Sequence, residues 1–404
     1  MHILLIHQAF ASLDEPGGTR HHELARYLAS QGHRLTIITS PISYLTGKAR
    51  SKKIRWCEKQ TDGDLITILR VYTYPSLHRS FAFRMVSFLS FMFSSFIIGL
   101  GVKNVDLIWG TSPPIFQGLT AWLLARIKHI PFLFEVRDLW PAFAVAVGVL
   151  KNPLLIKLSE LLETFLYRHA DLVIVNSPGF IQFIKSRGAT RVELVPNGTD
   201  TNMFTPEVDG ESFKRLHHLE AKFVVLYAGA HGLSNDLGIV LQSARRLMPR
   251  KDIIFVFLGD GKDKPALQTQ VATDGLDNIL FLAPIPKVEM PSALAAADAC
   301  IAILKPVELY KTTYPNKVFD YMAAGKPVIL AIDGVIREVI ENANAGIPVH
   351  PGDPEALSQA VLQLADDPEL AHRMGYQARV YVKKNFDRSI LAAKLMELML
   401  EMVA

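Results

Sequence analysis

The chain has 404 residues, 50% of them hydrophobic and 20% charged, which is material for two cores and excludes a disordered or fibrous polypeptide. Its two cysteines, Cys57 and Cys300, are too few for a disulfide framework and too far apart for a zinc knuckle, so a reducing compartment is expected. The net charge of +4 is uneven: residues 1–196 hold 22 Lys and Arg against 13 Asp and Glu, the remainder 21 against 26, so an anionic partner is expected to meet the first half. No zinc finger, RNP-like aromatic pattern or arginine-rich repeat accompanies that charge, which points away from nucleic acid and toward a membrane surface.

The amino terminus opens on a strand, Ile3 to His7, where a secretory signal would place a basic segment and a long apolar one, so the protein is expected to stay in the cytoplasm. Pro16-Gly17-Gly18-Thr19 then precedes a helix beginning near Arg20. Paired glycines let a backbone approach a ligand with no side chain between; the competing reading is a plain turn. Further strands are expected at Leu35 to Thr39, Leu65 to Val71, Leu107 to Gly110, Phe132 to Val136, Leu172 to Asn176 and Val192 to Val195, alternating with helices as a parallel, doubly wound sheet requires.

Two stretches of this half read as a membrane face. Lys48, Arg50, Lys52, Lys53, Arg55 and Lys59 cluster in one loop, opposed by Glu58 alone, a concentration suited to anionic headgroups or a pyrophosphate-bearing lipid. Met85 to Val102 is uncharged and apolar, bracketed by Arg79, Arg84 and Lys103, at the lower limit of spanning length. A span would put the flanking strands on opposite sides of a bilayer and break the sheet, which leaves a buried helix or an interfacial one; the basic loop favours the second.

The strand ending Glu135-Val136-Arg137-Asp138 sets three charges at its carboxyl edge, where desolvation is costly unless they have work or partners. An Arg137–Asp138 ion pair is the competing reading. Pro196-Asn197-Gly198-Thr199-Asp200 breaks the pattern with turn chemistry, so a domain boundary is expected near residue 199. Strands resume at Phe223 to Tyr227, Ile253 to Leu258, Ile279 to Leu282, Ala299 to Leu304 and Val328 to Ile332, and a last helix, Ser389 to Met402, carries Ile390, Leu391, Leu395, Leu398 and Met399 at helical spacing. Between the last two of those strands, Pro315 suits a first helical position and Gly325 with Pro327 a stop, predicting about ten helical residues. Asn316, Lys317 and Asp320 then share one side near the amino end, where a nucleotide diphosphate fits: Lys317 for phosphate, Asp320 for ribose hydroxyls.

Asp320 followed by Tyr321-Met322-Ala323-Ala324-Gly325-Lys326-Pro327-Val328 resembles the signature of the retaining family 4 glycosyltransferases, which use nucleotide-sugar donors. Their usual motif has two glutamates eight apart, and Thr312 and Asp320 stand at those positions. The Pro315-Asn316-Lys317 variant resembles a branch that includes bacterial N-acetylfucosamine transferases. The resemblance implies an α/β fold of GT-B architecture, two Rossmann-like domains facing across a cleft: residues 1–198 on the acceptor and membrane side, with 386–404 packing back on them, and 199–385 binding the donor. It assigns Gly17 and Gly18 to donor phosphate and reaction centre, and Thr312 to the donor sugar. It makes Asp138 the first candidate to contact or deprotonate the acceptor hydroxyl and Glu135 the second. Arg137 takes the family's usual His position. Gly229, His231 and Gly232 match the glycine turn where the family carries an arginine and a lysine for diphosphate; Lys317 is the replacement, and Pro284 lies near the base.

The implied activity is metal-independent, cofactor-free transfer, with retention, of a sugar such as N-acetylfucosamine from a UDP-linked donor. The implied acceptor is an undecaprenyl-diphosphate-linked saccharide of O-antigen, capsule or exopolysaccharide synthesis, at the cytoplasmic face of the inner membrane. A GT-B sugar-nucleotide epimerase and a non-catalytic assembly scaffold are the alternatives.

Overall fold

A computed structural model describes residues 1–43, 47–50, 53–75 and 81–404. Lys52 of the basic loop and Arg79 lie outside the described residues. The chain separates into two compact units: Met1–Leu13, Gly17–Pro196 and Leu391–Ala404 form the first, and Asp14–Pro16 with Asn197–Ile390 form the second.

The sheet of unit 1 contains β1 (His2–Ile6), β2 (Arg34–Thr39), β3 (Cys57–Asp62), β4 (Ile66–Val71), β5 (Leu107–Ser112), β6 (Phe132–Val136), β7 (Leu172–Val175) and β8 (Val192–Leu194). Their order is β3-β4-β2-β1-β5-β6-β7-β8, so the chain reverses its direction of travel between β1 and β5. The central strands are apolar on both faces because helices cover both. One face of the sheet packs Leu5, Trp109 and Ile174 against Leu24 and Leu28 of helix Arg20–Ser30 and against Leu391, Leu395 and Met399 of helix Arg388–Val403. Ile390 of that last helix is exposed. β3 is antiparallel to β4, with Lys59 opposite Leu69. The sequence reading places Cys57 to Lys59 in a loop; pairing with β4 overrides their poor strand propensity, and the charged side chains blunt a sheet edge.

Helix Phe81–Gly101 connects β4 to β5 inside this one sheet. Among the described residues it is the one helix long and apolar enough to cross a membrane. Its inward side is the more polar one: Ser87, Ser94 and Ser95 are buried, and Ser94 Oγ donates to Tyr72 O at 2.6 Å. Gly99 belongs there because a Cβ would fall 2.5 Å from Leu124 of helix Phe116–Lys128. Phe83, Val86, Leu89, Phe93, Ile97 and Leu100, spaced three or four apart, form an exposed stripe along the outer side.

Unit 2 is a six-stranded, all-parallel sheet in the order β11-β10-β9-β12-β13-β14. Its strands are β9 (Phe223–Ala228), β10 (Ile253–Leu258), β11 (Ile279–Leu282), β12 (Ala299–Ile303), β13 (Val328–Ala331) and β14 (Gly346–Pro348). Val224, Leu226 and Ala228 of β9 enter one core layer and Val225 and Tyr227 the other, the alternation of a strand covered on both faces. β14 is absent from the sequence reading because three residues ending in proline carry no period. The reversal here lies between β9 and β12, and open α/β sheets bind ligands at the carboxyl ends of strands flanking such a reversal.

Candidate active site

In unit 2, β9 runs out into Gly229-Ala230-His231-Gly232 and β10 into Gly259-Asp260-Gly261. The two turns abut. A Cβ on Gly259 would fall 1.9 Å from Gly229 O, and one on Gly261 2.3 Å from His231 O. The His231 N–H donates to Asp260 O at 2.9 Å, and Lys264 Nζ ties the pair to the end of β11 by donating to Gly259 O and Leu282 O at 2.7 and 2.8 Å. Gly229 has a further reason to be glycine: a Cβ there would lie 2.7 Å from Lys317 Nζ.

Lys317 lies in the first turn of helix Asn316–Ala323, its Nζ 3.8 Å from the centroid of the Tyr227 ring. That amine is buried with no hydrogen-bond acceptor among the described residues, and burial pulls its pKa down to about 7. His231, fully buried among Tyr227, Phe257 and Phe281, also lacks a partner on either ring nitrogen among the described residues. Burial first, then Lys264 and Lys317, push it down to about 4 against the pull of Asp260, so its ring is neutral at pH 7. Two unsatisfied polar groups in one dry corner are costly unless a ligand completes them. A cavity of about 150 Å³ opens nearby between the starts of helices Leu237–Arg246 and Lys264–Asp274, with Gly232, Asp236, Gly238, Asp263 and Lys305 on its wall. Lys305 carries no sequence signal that separates it from other surface lysines.

The structure parts three residues that the sequence reading groups on one side. The helix is eight residues long, with Pro315 as its cap and not its first helical residue. Lys317 faces the β9 turn, whereas Asn316 and Asp320 face Thr199, Lys287 and Arg388. The Asp320 carboxylate accepts from Thr199 Oγ1 and Lys287 Nζ, each at 2.7 Å, and from Asn316 Nδ2 at 3.3 Å. These donors occupy the group expected to wait for ribose. Thr312 Oγ1 donates to Leu309 O at 2.6 Å within a short 3-10 turn, and Pro284 lies in the irregular segment after β11.

In unit 1, Gly17 (φ +147°) and Gly18 follow β1 and precede helix Arg20–Ser30. A Cβ on Gly17 would lie 3.2 Å from Ala11, and one on Gly18 3.6 Å from Arg137 Nη2. Glu135 corrects the sequence reading. It is fully buried, with Oε1 2.9 Å from Arg20 Nε and Oε2 2.7 Å from His21 Nε2, and Trp109 Nε1 donates to it at 3.1 Å. Burial opposes its charge, yet His21 and Arg20 hold the carboxyl well below the usual range, so it serves as a fixed counter-ion with both oxygens engaged by buried donors. Arg20 also donates to Pro196 O and Val195 O. A cation in the first turn of a helix opposes the macrodipole, and that anomaly was the signal for its buried partner.

Among the described residues, no ion pair joins Arg137 to Asp138. Asp138 is exposed; the protein on its inner side pushes its carboxyl upward while Arg137 pulls it down. Arg137 Nη1 instead lies 3.4 Å from His7 Nε2, and His7 Nδ1 2.7 Å from Thr111 Oγ1. His7 was missed because the residue closing an apolar strand reads as its boundary. No group of three or more His, Cys, Asp or Glu able to hold a metal stands among the described residues.

Two family profiles match: "Glycosyl transferase 4-like domain" over residues 17–198 and "Glycosyl transferases group 1" over residues 222–367. The putative colanic acid biosynthesis glycosyl transferase WcaI of Escherichia coli K12 is 23% identical over 379 residues, 91% of each chain. Among solved structures, sucrose-phosphate synthase from Thermosynechococcus elongatus superposes with a TM-score of 0.77 at 18% identity, covering 99% of this chain and 98% of that one. Anabaena Alr3699/HepE in complex with UDP and glucose does so with 0.74 at 16% identity, covering 99% and 100%. With its two units each matched by one half of that family and its GT-B fold shared with these structures, the chain belongs to the group 1, family 4 glycosyltransferases.

Proposed function

We propose that this glycosyltransferase takes its sugar from a UDP-linked donor and passes it, with retention, to a lipid-linked saccharide of bacterial surface-polysaccharide assembly. The observation that carries the donor half is the buried, acceptor-free amine of Lys317 beside Gly229. An ammonium on an aromatic face with no carboxylate is incomplete until an anion arrives, and a diphosphate oxygen supplies what the family's missing arginine would have met. His231, neutral, can donate one N–H to the same group. The complex of HepE with UDP and glucose supports UDP as the nucleotide, and the WcaI relationship supports a polysaccharide acceptor. A deoxy-amino sugar such as N-acetylfucosamine is the donor favoured by Pro315-Asn316-Lys317.

In this reading unit 2 holds the donor and unit 1 the acceptor. Asp138, exposed at the end of β6, contacts the acceptor hydroxyl, and the departing phosphate helps to take its proton. Charge developing on the diphosphate is met by Lys317 and by N–H groups at the start of its helix, so the reading calls for no divalent ion. The lipid is met at the cytoplasmic face of the inner membrane by the outer stripe of helix Phe81–Gly101, with Lys48, Lys53, Arg55 and Lys59, all exposed, supplying positive charge.

The test is mass-spectrometric turnover of UDP-, GDP- and dTDP-sugars by purified protein with an undecaprenyl-diphosphate saccharide, in detergent and EDTA. Release of UDP together with a sugar mass gained by the acceptor is the expected result. Isomerised donor without acceptor would make the protein an epimerase, and nucleotide binding without any turnover would favour a scaffold.

A further inference from the structure

The buried cluster where β1 meets β5 has hydrogen bonds that run in one consistent direction. The Gln8 N–H donates to Gln117 Oε1 at 2.6 Å, which leaves the Gln117 NH₂ to donate to Thr111 Oγ1 at 2.8 Å. Arg137 has no acceptor, so across its 3.4 Å contact with His7 Nε2 the guanidinium donates and the ring nitrogen accepts. The proton of a neutral His7 therefore sits on Nδ1 and is donated to Thr111 Oγ1 at 2.7 Å. The surroundings enforce neutrality. Burial, then the His21 ring with its centroid 3.9 Å away, then Arg137 all drive the His7 pKa well down. The remaining charges nearby, Glu135 and Arg20, are paired with each other, and Glu135 also with His21.

The backbone of Arg137 is pinned at both ends: its N–H donates to Ser112 O and its carbonyl accepts from Asn176 Nδ2, each at 3.2 Å. Its side chain is not pinned by any carboxylate among the described residues. Nε is buried without a partner among those residues, while Nη2 lies 3.6 Å from where a Gly18 side chain would begin. Among the described residues, His7 is the side chain that aims this guanidinium.

We infer that His7 is a positioning residue, whose Nε2 lone pair holds the Arg137 guanidinium toward the Gly17–Gly18 turn as a receptor for a phosphate oxygen of one of the reactants. The proposal rests on the sugar-transfer reading and adds to it how the arginine at the family's histidine position is oriented. The phosphate belongs either to the donor diphosphate or to the pyrophosphate of a lipid acceptor. Protonating His7 would turn Nε2 into a donor facing a cation, so the contact is lost on the acid side.

The first test does not depend on activity. In protein labelled with ¹⁵N-histidine, long-range ¹H–¹⁵N correlation at neutral pH is expected to show His7, assigned by the signal lost in His7→Gln, as the Nδ1–H tautomer. An Nε2–H tautomer would overturn the proposal. In kinetics, His7→Leu is expected to lower kcat/KM by roughly 10- to 100-fold, the scale of a displaced positioning contact. His7→Gln, whose Oε1 replaces Nε2 as acceptor, is expected to recover most of that loss and to lack the acid limb of the wild-type pH profile. Equal losses in both variants with an unchanged profile would mean that His7 only packs, and would sink the idea. A rise in donor KM assigns the phosphate to the donor, and a rise in acceptor KM to the lipid. Wild-type protein with the Nδ1–H tautomer but no turnover on any donor would count against the transfer reading and not against the geometry.

Discussion

At Lys317 the physical conflict is between desolvation and charge. An unfolded lysine titrates at about 10.4, while burial brings this one down to about 7. Below pH 7 the amine is charged in both states and the free protein bears the whole desolvation penalty; above the unfolded value neither state is charged and the penalty is gone. Between the two the unfolded chain holds more protons, so stability of the ligand-free protein is expected to rise with pH. Urea unfolding at pH 7 and pH 9 checks this, and Lys317→Met should flatten that component. UDP affinity should move the other way, falling from pH 7 to 9 in calorimetry, and Lys317→Met should weaken it by about 10- to 100-fold, the worth of one charge-assisted hydrogen bond. Glu135→Gln should act on the fold. Removing the carboxylate leaves the buried Arg20 guanidinium without its counter-ion and the His21 ring without its acceptor, and costs about 3–5 kcal/mol, read as a lower urea midpoint, with folded protein still binding UDP. Lys317 was legible because Pro315 and Gly325 frame its helix. The occupancy of Asp320 was not, since Lys287 and Thr199 lie 33 and 121 positions away in sequence.

Among the elements, helix Phe81–Gly101 has its faces reversed relative to an ordinary surface helix. Close approach to Leu124 and to the backbone of Tyr72 selects glycine and serine on the inner side, and leaves the bulky side chains outside. Phe93 and Ile97 are exposed, so Phe93→Glu with Ile97→Glu should leave circular dichroism and thermal midpoint within the small range of surface changes. The same pair should abolish co-sedimentation with vesicles containing anionic lipid. Unchanged vesicle binding would remove this helix from any membrane contact. Composition made the apolarity of the segment plain, but a run apolar nearly all round has no period from which to choose the face. β3 failed for the opposite reason: a polar strand at an edge is specified by its neighbour β4 and carries little signal of its own.

On the scale of the whole molecule, the carboxyl-terminal helix begins in unit 2 and lies mostly in unit 1, where Leu391, Leu395, Leu398 and Met399 complete a core with β1, β2 and β5. Burying four such side chains contributes on the order of 10 kcal/mol, comparable with the net stability of a domain. A chain ending at residue 388 is therefore expected to lose folded unit 1, seen as insolubility or early proteolysis of residues 1–196, whereas unit 2 keeps its sheet. The sequence by itself determined the number of parallel-sheet units, most of their strands, the turn between them and the helix that carries Lys317, because apolar period, glycine and proline act locally. Only the tertiary structure decided which polar groups are available for chemistry: it closed Glu135 and Asp320 into pairs with distant donors, left the Lys317 amine without an acceptor and the His231 ring without a partner among the described residues, and brought His7 to Arg137. Such pairings join residues from 33 to 130 positions apart, and no local pattern in the chain encodes them.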